Sequence, residues 1–224
     1  MIDSDKRAAA LAAVIEVQDG MLVGLGTGST AAFAIAALGE RVAQGLAIRA
    51  VATSAASERL ARDVGIPVIN FAEVGQVDLT IDGADEIDDH LFAIKGAGGA
   101  MLREKIVGAS SARMIVIGDG SKRVARIGAA KVPVEVLPFA QTYVMQRLAE
   151  IGGNPVVRPD YRTDQQNLVV DCRFALLDDP RALGIALAAI PGVLGHGLFL
   201  DEVDAAYIAD NGLVTRLERR DASA

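Results

Sequence analysis

The sequence predicts an α/β fold: a Rossmann-like, mostly parallel sheet flanked by helices, followed by a smaller ferredoxin-like βαββαβ unit. Three observations carry this. Through about residue 125, short apolar runs alternate with stretches of helical periodicity. The apolar runs are continuous, as in strands covered on both faces. Beyond them the order of patterns changes to β-α-β-β-α-β. On this reading the 224 residues divide into a Rossmann-like unit at 1–130, a ferredoxin-like unit at 131–203, and a C-terminal hairpin at 204–224 that returns to the main sheet.

The elements follow in order. Residues 5–18 read as a helix with apolar positions at Ala8, Leu11, Ala12 and Ile15, ended by Gly20. "MLVGLG" is a short buried strand. "STAAFAIAALGERV" is a helix, with Ser29 or Thr30 as its N-cap. "AIRAVAT" is a strand and "SAASERLARDVG" a helix that stops at Gly65. "PVIN" and "VDLTIDGAD" are two further strands, "AMLREKIVGAS" is helical, and "RMIVIGDG" is a strand. In the second part, "KVPVEVLPF" is a strand carrying two prolines, and "AQTYVMQRLAEIGG" is a helix with a double-glycine stop. "NPVVRP" and "NLVVDCRF" are strands around the turn "DYRTDQQ". "DPRALGIALAAIP" is a helix starting near Asp179 with Pro180 in its first turn, and "GVLGHGLFL" is a strand. "AAYIADNGLVTRLER" is a hairpin turning at Asn211-Gly212.

Composition narrows the function classes. Hydrophobic residues make up 51% and charged residues 23%, an ordinary globular mixture. Twenty-two basic residues face 29 acidic ones, a net charge of -7 with no basic block, so the footprint of a nucleic-acid binder is missing. Trp is absent and aromatics are 4%, which argues against stacking platforms for single strands. An anionic ligand would have to be drawn by local groups against the overall field. Cys172 is the single cysteine, so no intrachain disulfide is expected; it reads as a small buried strand residue in a reducing compartment. The N-terminal run is interrupted by Glu16 and is no signal peptide. The longest apolar stretch, from Ala182, is broken by Pro191 and several glycines and is too short for a membrane span. The expectation is a cytoplasmic protein without nucleic-acid or membrane partners.

Four stretches carry chemistry. In "VGLGTGSTAAF" a strand turns into a helix through Gly24, Gly26 and Gly28. Backbone amides at the helix start, with the Thr27, Ser29 and Thr30 hydroxyls, suit a phosphate or carboxylate. The competing reading is a tight turn alone. The third glycine of a dinucleotide fingerprint would fall at Ser29, and no acid follows about 20 residues on. No lysine follows Gly28, so a Walker loop is excluded.

In "DGADE", Asp82 and Asp85 can both point across a strand-end cleft, where carboxylates accept hydrogen bonds from sugar hydroxyls or move protons. A metal site is the rival, but the calcium-loop pattern is absent and His90 is the one histidine nearby, so no metal is expected. Asp88 and Asp89 read as a solvated acidic turn. In "IKGAGGAMLREK", Lys95 precedes Gly96, Gly98 and Gly99 and is a natural cation for a developing oxyanion. Glu104 sits on the following helix, with Arg103 and Lys105 pointing elsewhere around it. In "IGDGSKRVARIG", Lys122 is a phosphate clamp or an exposed lysine at a helix start. Neither His90 nor His196 has the spacing of a metal ligand or triad.

Taken in order, "VGLGTGSTA", "DGADEID", "IKGAGGAMLREKI" and "GDGSK" resemble the type A ribose-5-phosphate isomerase family. "VPVEVLPFA" and "IPGVLGHGLF" extend the resemblance through the second half, and Ala97 stands where the family often has glycine. The resemblance implies interconversion of D-ribose 5-phosphate and D-ribulose 5-phosphate through an enediolate, in the non-oxidative pentose phosphate pathway, without cofactor or metal. It implies a homodimer or homotetramer. It also implies that Thr27, Gly28, Ser29, Thr30, Asp82, Gly83, Ala84, Asp85, Lys95, Gly96, Ala97, Gly98 and Lys122 bind substrate, and that Glu104 is the proton acceptor. Either Asp82 or Asp85 would shuttle the proton that opens the furanose ring. A non-catalytic sugar-phosphate sensor is the alternative, though it would not need Glu104 and Lys95. A nicotinamide-dependent dehydrogenase is disfavoured by the failed fingerprint, and a glutamate-based CoA transferase on a related fold would be excluded by isomerisation without CoA.

Overall fold

The computed structural model describes residues 2–175 and 177–219, so residues 220–224 of the expected C-terminal segment lie outside them. The first half forms α1 (Ile2–Val14), β1 (Leu22–Leu25), α2 (Ser29–Ala43), β2 (Arg49–Ala52), α3 (Ala55–Asp63), β3 (Leu79–Gly83), β4 (Glu86–Ile87), β5 (Ala93–Ile94), α4 (Met101–Ala109) and β6 (Met114–Asp119). The second half forms β7 (Val132–Val136), α5 (Gln141–Glu150), β8 (Gly153–Val157), β9 (Leu168–Phe174), α6 (Pro180–Ala188), β10 (Val193–His196), β11 (Leu198–Phe199), β12 (Ala205–Asp210) and β13 (Leu213–Glu218).

Strands β1 and β6 are buried at every position, as their unbroken apolar runs require. They belong to a six-stranded sheet of order β13-β12-β6-β3-β1-β2. Its strands β2, β1, β3, β6 and β12 run parallel, and β13 returns antiparallel. The turn between β12 and β13 places Asn211 and Gly212 at φ 50° and 81°, the left-handed pair that a two-residue hairpin needs. A second sheet has the order β10-β7-β9-β8, with every neighbouring pair antiparallel and Cys172 fully buried on β9. No helix among the described residues is long and apolar enough to cross a membrane.

Several expectations give way to packing. Helix α1 turns Ala9, Ala10 and Ala13 inward and leaves Leu11 at 41% exposure, and Ile15, just past its end at Val14, is 75% exposed. Alanines let the helix lie close against α2 and β6, so small residues take the core face and two of the large ones face out. "PVIN" makes only a single bridge, Val68 to Ala50, beside β2. The cap of α2 is Gly28 at φ 106°, with no side-chain cap bond, rather than Ser29 or Thr30. Asp88 is not solvated: it is buried and accepts from the N–H groups of His90 and Phe92, at 3.0 and 3.1 Å, bracing the turn. Asp89 is exposed and pairs with Arg123 at 2.8 Å. Glu86 is also buried and accepts from Gly128 N and Ala130 N.

The segment "GVLGHGLFL" is two strands. β10 pairs with β7, whereas β11 pairs with β5 in a three-stranded sheet of order β11-β5-β4. The switch is Gly197, which donates to Pro133 O and accepts from Lys95 N, both at 2.8 Å. A Cβ there would lie 2.2 Å from Lys95 O, so only glycine fits. This small sheet joins the two larger ones and carries Lys95 at its end.

Candidate active site

The carboxyl ends of β1, β3 and β6 stand side by side in the main sheet, where an α/β fold collects ligands. Beyond them opens a cleft of about 210 Å³. One wall is Thr27, Gly28, Ser29 and Thr30, the turn from β1 into α2; another is Gly83, Ala84 and Asp85, after β3. Lys95, Gly96, Ala97 and Gly98 form a third, and Glu104 and Lys122 also line the cleft. Four separated motifs thus meet in one place.

Asp82 lies beneath the floor. Its side chain is fully buried, and its Oδ1 accepts from Thr27 N at 2.9 Å and Gly83 N at 2.7 Å. Only glycine at position 26 allows this, because a Cβ there would sit 2.1 Å from Asp82 Oδ1. Asp82 therefore fastens the β1–α2 turn to β3 and is not among the lining groups, while Asp85 is half-exposed at the wall. Asp85 Oδ2 accepts from Ala97 N at 2.9 Å, tying two walls together.

Lys95 is the hub. Its ammonium lies 2.9 Å from Asp82 Oδ2 and 3.2 Å from Glu104 Oε2, and it also donates to Gly83 O. The contact to Gly83 O is a hydrogen bond, whereas the two carboxylate oxygens are held as close ion pairs. Burial alone would pull Lys95 down, but the two carboxylates more than offset it and hold the ammonium above its usual range. Glu104 is buried on α4. Burial, and then the Asp82 charge, push its carboxyl well above the usual carboxylate range, against the pull of Lys95. Such a carboxylate is a stronger base than a solvated one and is held at the cleft wall.

The Thr27 hydroxyl rests on a platform of hydroxyls: Thr53 and Ser54 at 2.8 Å and Ser57 at 3.2 Å. Ser54 in turn caps α3 by accepting from Ser57 N. At the opposite rim, Asp119 accepts from Ser121 N and starts the tight turn Gly120–Lys122 that brings Lys122 to the cleft.

One lining residue lies outside the sequence motifs. Lys6, on α1, donates to Ser29 Oγ at 3.1 Å and places a second cation beside the Ser29–Thr30 helix start. Lys6 is ordinary in its sequence context, and only the packing of α1 against α2 brings it there. Of the residues flanking Glu104, Lys105 turns away, onto Leu198 O, Glu202 and the Phe199 ring, and Arg103 pairs with Asp164. A larger cleft of about 550 Å³ lies between α3 and α4, but its Arg62 and Arg103 are partly exposed and already paired with Glu58 and Asp164. It gathers no buried ionised group.

The family model of ribose 5-phosphate isomerase A (phosphoriboisomerase A) matches residues 49–212. The chain belongs to the ribose 5-phosphate isomerase A family. A ribose-5-phosphate isomerase A of Sphingopyxis alaskensis is 51% identical over 223 residues, covering 98% of each chain. The solved ribose 5 phosphate isomerase A of Neisseria gonorrhoeae superposes with a TM-score of 0.94 at 37% identity, covering 98% of each chain. A D-ribose-5-phosphate isomerase solved in complex with phospho-erythronic acid also gives 0.94, at 35% identity, over 98% of this chain and all of that one. The ribose 5-phosphate isomerase A likeness thus extends through both large sheets and every wall of the cleft.

Proposed function

We propose that this chain interconverts D-ribose 5-phosphate and D-ribulose 5-phosphate, the reaction of the non-oxidative pentose phosphate pathway, by moving a proton between C1 and C2 through an enediolate. The observation that carries this is the buried set Asp82–Lys95–Glu104 beside a cleft whose rim offers a helix start and two lysines.

An aldose–ketose isomerisation can use one base for both carbons, and such general-base help is worth about 10²–10⁴-fold. Glu104 is that base: raised in pKa by burial, paired with Lys95, and at the cleft wall. Lys95 acts with it. The Lys95 ammonium is ion-paired with both Asp82 and Glu104 and donates to Gly83 O. When Glu104 takes the substrate proton, its charge is lost and its hold on the Lys95 ammonium weakens. That happens as the enediolate oxygen becomes negative, so the cation is less tightly held when it is needed.

Asp85 is the group for opening the furanose ring, since it lines the cleft while Asp82 is sealed beneath it. The phosphate sits at the Ser29–Thr30 helix start, between Lys6 and Lys122. Its binding energy holds the sugar in register, which is how a non-reacting group raises rate. The protein works in the cytoplasm as a homodimer or homotetramer on this reading, with sedimentation as the check on assembly. A non-catalytic sensor would have no use for a buried base paired with an ammonium.

Isomerisation in D₂O tests the proton-transfer reading. Deuterium at the carbon that receives the proton, lost together with turnover in Glu104→Gln, supports it. A product free of deuterium and unaffected by Glu104→Gln would oppose it.

A further inference from the structure

The β8–β9 loop, residues 158–167, does not line the cleft, yet it is tied to three of the segments that build it. Arg158 donates to Ala97 O at 2.9 Å and to Gly96 O at 3.3 Å. The Tyr161 hydroxyl donates to Gly98 O at 2.9 Å. Asp164 accepts from Ala55 N at 2.8 Å and pairs with Arg103 at 3.6 Å. Ala55 adjoins Ser54 of the platform beneath Thr27, and Arg103 adjoins Glu104.

The loop is itself held firmly. Arg158 forks onto Asp171 of β9, at 2.6 and 3.1 Å, and its guanidinium lies 5.2 Å from the Tyr161 ring centre. At the loop base, Thr163 and Asn167 both donate to the buried Glu135 of β7, at 2.8 and 2.9 Å. Tyr161 packs closely against the glycine loop: a Cβ at Gly99 would meet its hydroxyl at 2.1 Å.

Holding a carbonyl fixes a peptide plane, and in a planar trans peptide the next N–H points the opposite way. With Gly96 O turned to Arg158, Ala97 N–H points at Asp85. With Ala97 O turned to Arg158 as well, Gly98 N–H is directed away from that guanidinium. A loop with two glycines among its three residues has no side-chain packing to hold these planes; the second sheet supplies it.

We propose that Arg158 and Tyr161 are positioning residues for the isomerisation: they fix the peptide planes of Gly96–Gly98 so that the loop meets the substrate oxygens already ordered. This rests on the reading of the cleft as the substrate site. Losing such order weakens substrate binding without altering Glu104 or Lys95, so it shows in KM rather than kcat.

The test compares ribose 5-phosphate kinetics and melting temperature for native protein, Tyr161→Phe, Arg158→Ala, Arg158→Lys and, as a reference within the cleft, Asp85→Asn. The expected result is KM raised about threefold to tenfold in Tyr161→Phe and Arg158→Ala, with kcat within about twofold of native and partial recovery in Arg158→Lys. The pH dependence of kcat stays unchanged. If Arg158→Ala does not fold, Tyr161→Phe decides alone. An unchanged KM with only a lower melting temperature, while Asp85→Asn does raise KM, would make the loop a structural tie and overturn the proposal. If Asp85→Asn also changes nothing, the cleft reading fails and takes this proposal with it.

Discussion

Lys95 and Asp82 face each other at 2.9 Å, and neither side chain is more than 2% exposed. One sits at the end of β5, the other within β3, so this ion pair joins the small sheet to the main one. Removing one member of a buried pair leaves an uncompensated charge and typically costs about 3–5 kcal/mol. Lys95→Met leaves Asp82 and Glu104 confronting each other without a cation. Urea unfolding is expected to show a loss of that order, and kcat to fall about 10²–10³-fold, the loss typical of a missing oxyanion donor. A variant that keeps native turnover would remove Lys95 from the chemistry.

The acid limb of kcat/KM reports the base of the free enzyme. Burial and Asp82 raise Glu104, so that limb is expected well above about 4.3, the usual glutamate value. In Asp82→Asn the Asp82 charge, the larger of the two charges that raise Glu104, is gone, and the limb shifts to lower pH. The sign for stability follows. The folded state holds the Glu104 proton more tightly than the unfolded one, so this group's contribution is full below the unfolded pKa and is lost as pH rises through the folded one. Glu104→Gln removes that dependence. Its melting temperature gains on native as pH rises above the ordinary carboxylate range, a trend that thermal scans at several pH values check.

Gly26 is fixed by contact. A Cβ there would lie 2.1 Å from Asp82 Oδ1 and 2.5 Å from Asp82 Cα, and the backbone atom cannot step aside. Gly26→Ala is expected to destabilise by about 1–3 kcal/mol or more through overpacking. It also displaces Asp82, and with it the ion pair, so turnover falls further than the loss of folded protein explains. Activity measured per folded molecule separates the two effects.

His196 lies outside the cleft, half-buried, and burial with the nearby Lys105 charge pulls its imidazole down to about 4. The unfolded chain takes up this proton near the usual value of about 6.5. The folded state therefore binds fewer protons between those values, and its stability falls as pH drops through that window. His196→Gln removes the dependence. Its unfolding free energy is expected to decline less steeply than native from neutral pH toward 4, measured by urea titration. Parallel curves would show that His196 does not contribute.

Much of this arrangement is legible in the sequence because strand ends in an α/β sheet converge. Thr27–Thr30, Asp85, Lys95–Gly98 and Lys122 each follow a short apolar run, and those runs lie side by side in the sheets. What is not legible depends on contacts between distant segments. Lys6 joins the rim only because α1 packs on α2. The inward face of α1 is set by how closely a helix can approach, which favours Ala9, Ala10 and Ala13 over Leu11. Gly197 divides one apolar run between two sheets, a division that its periodicity does not mark. Asp82 and Asp85 look alike in "DGADE", yet Gly26 admits one carboxylate beneath the floor and leaves the other at the wall. Asp88 resembles a solvated acid until the N–H groups of its own turn fold over it.

The most direct test of the central claim is formation of D-ribulose 5-phosphate from D-ribose 5-phosphate, with EDTA present, for native protein beside Glu104→Gln. The account predicts robust native turnover, insensitive to the chelator, and near-complete loss in the variant with the fold intact. Turnover that survives Glu104→Gln, or that vanishes from the native protein when metal is removed, would contradict it.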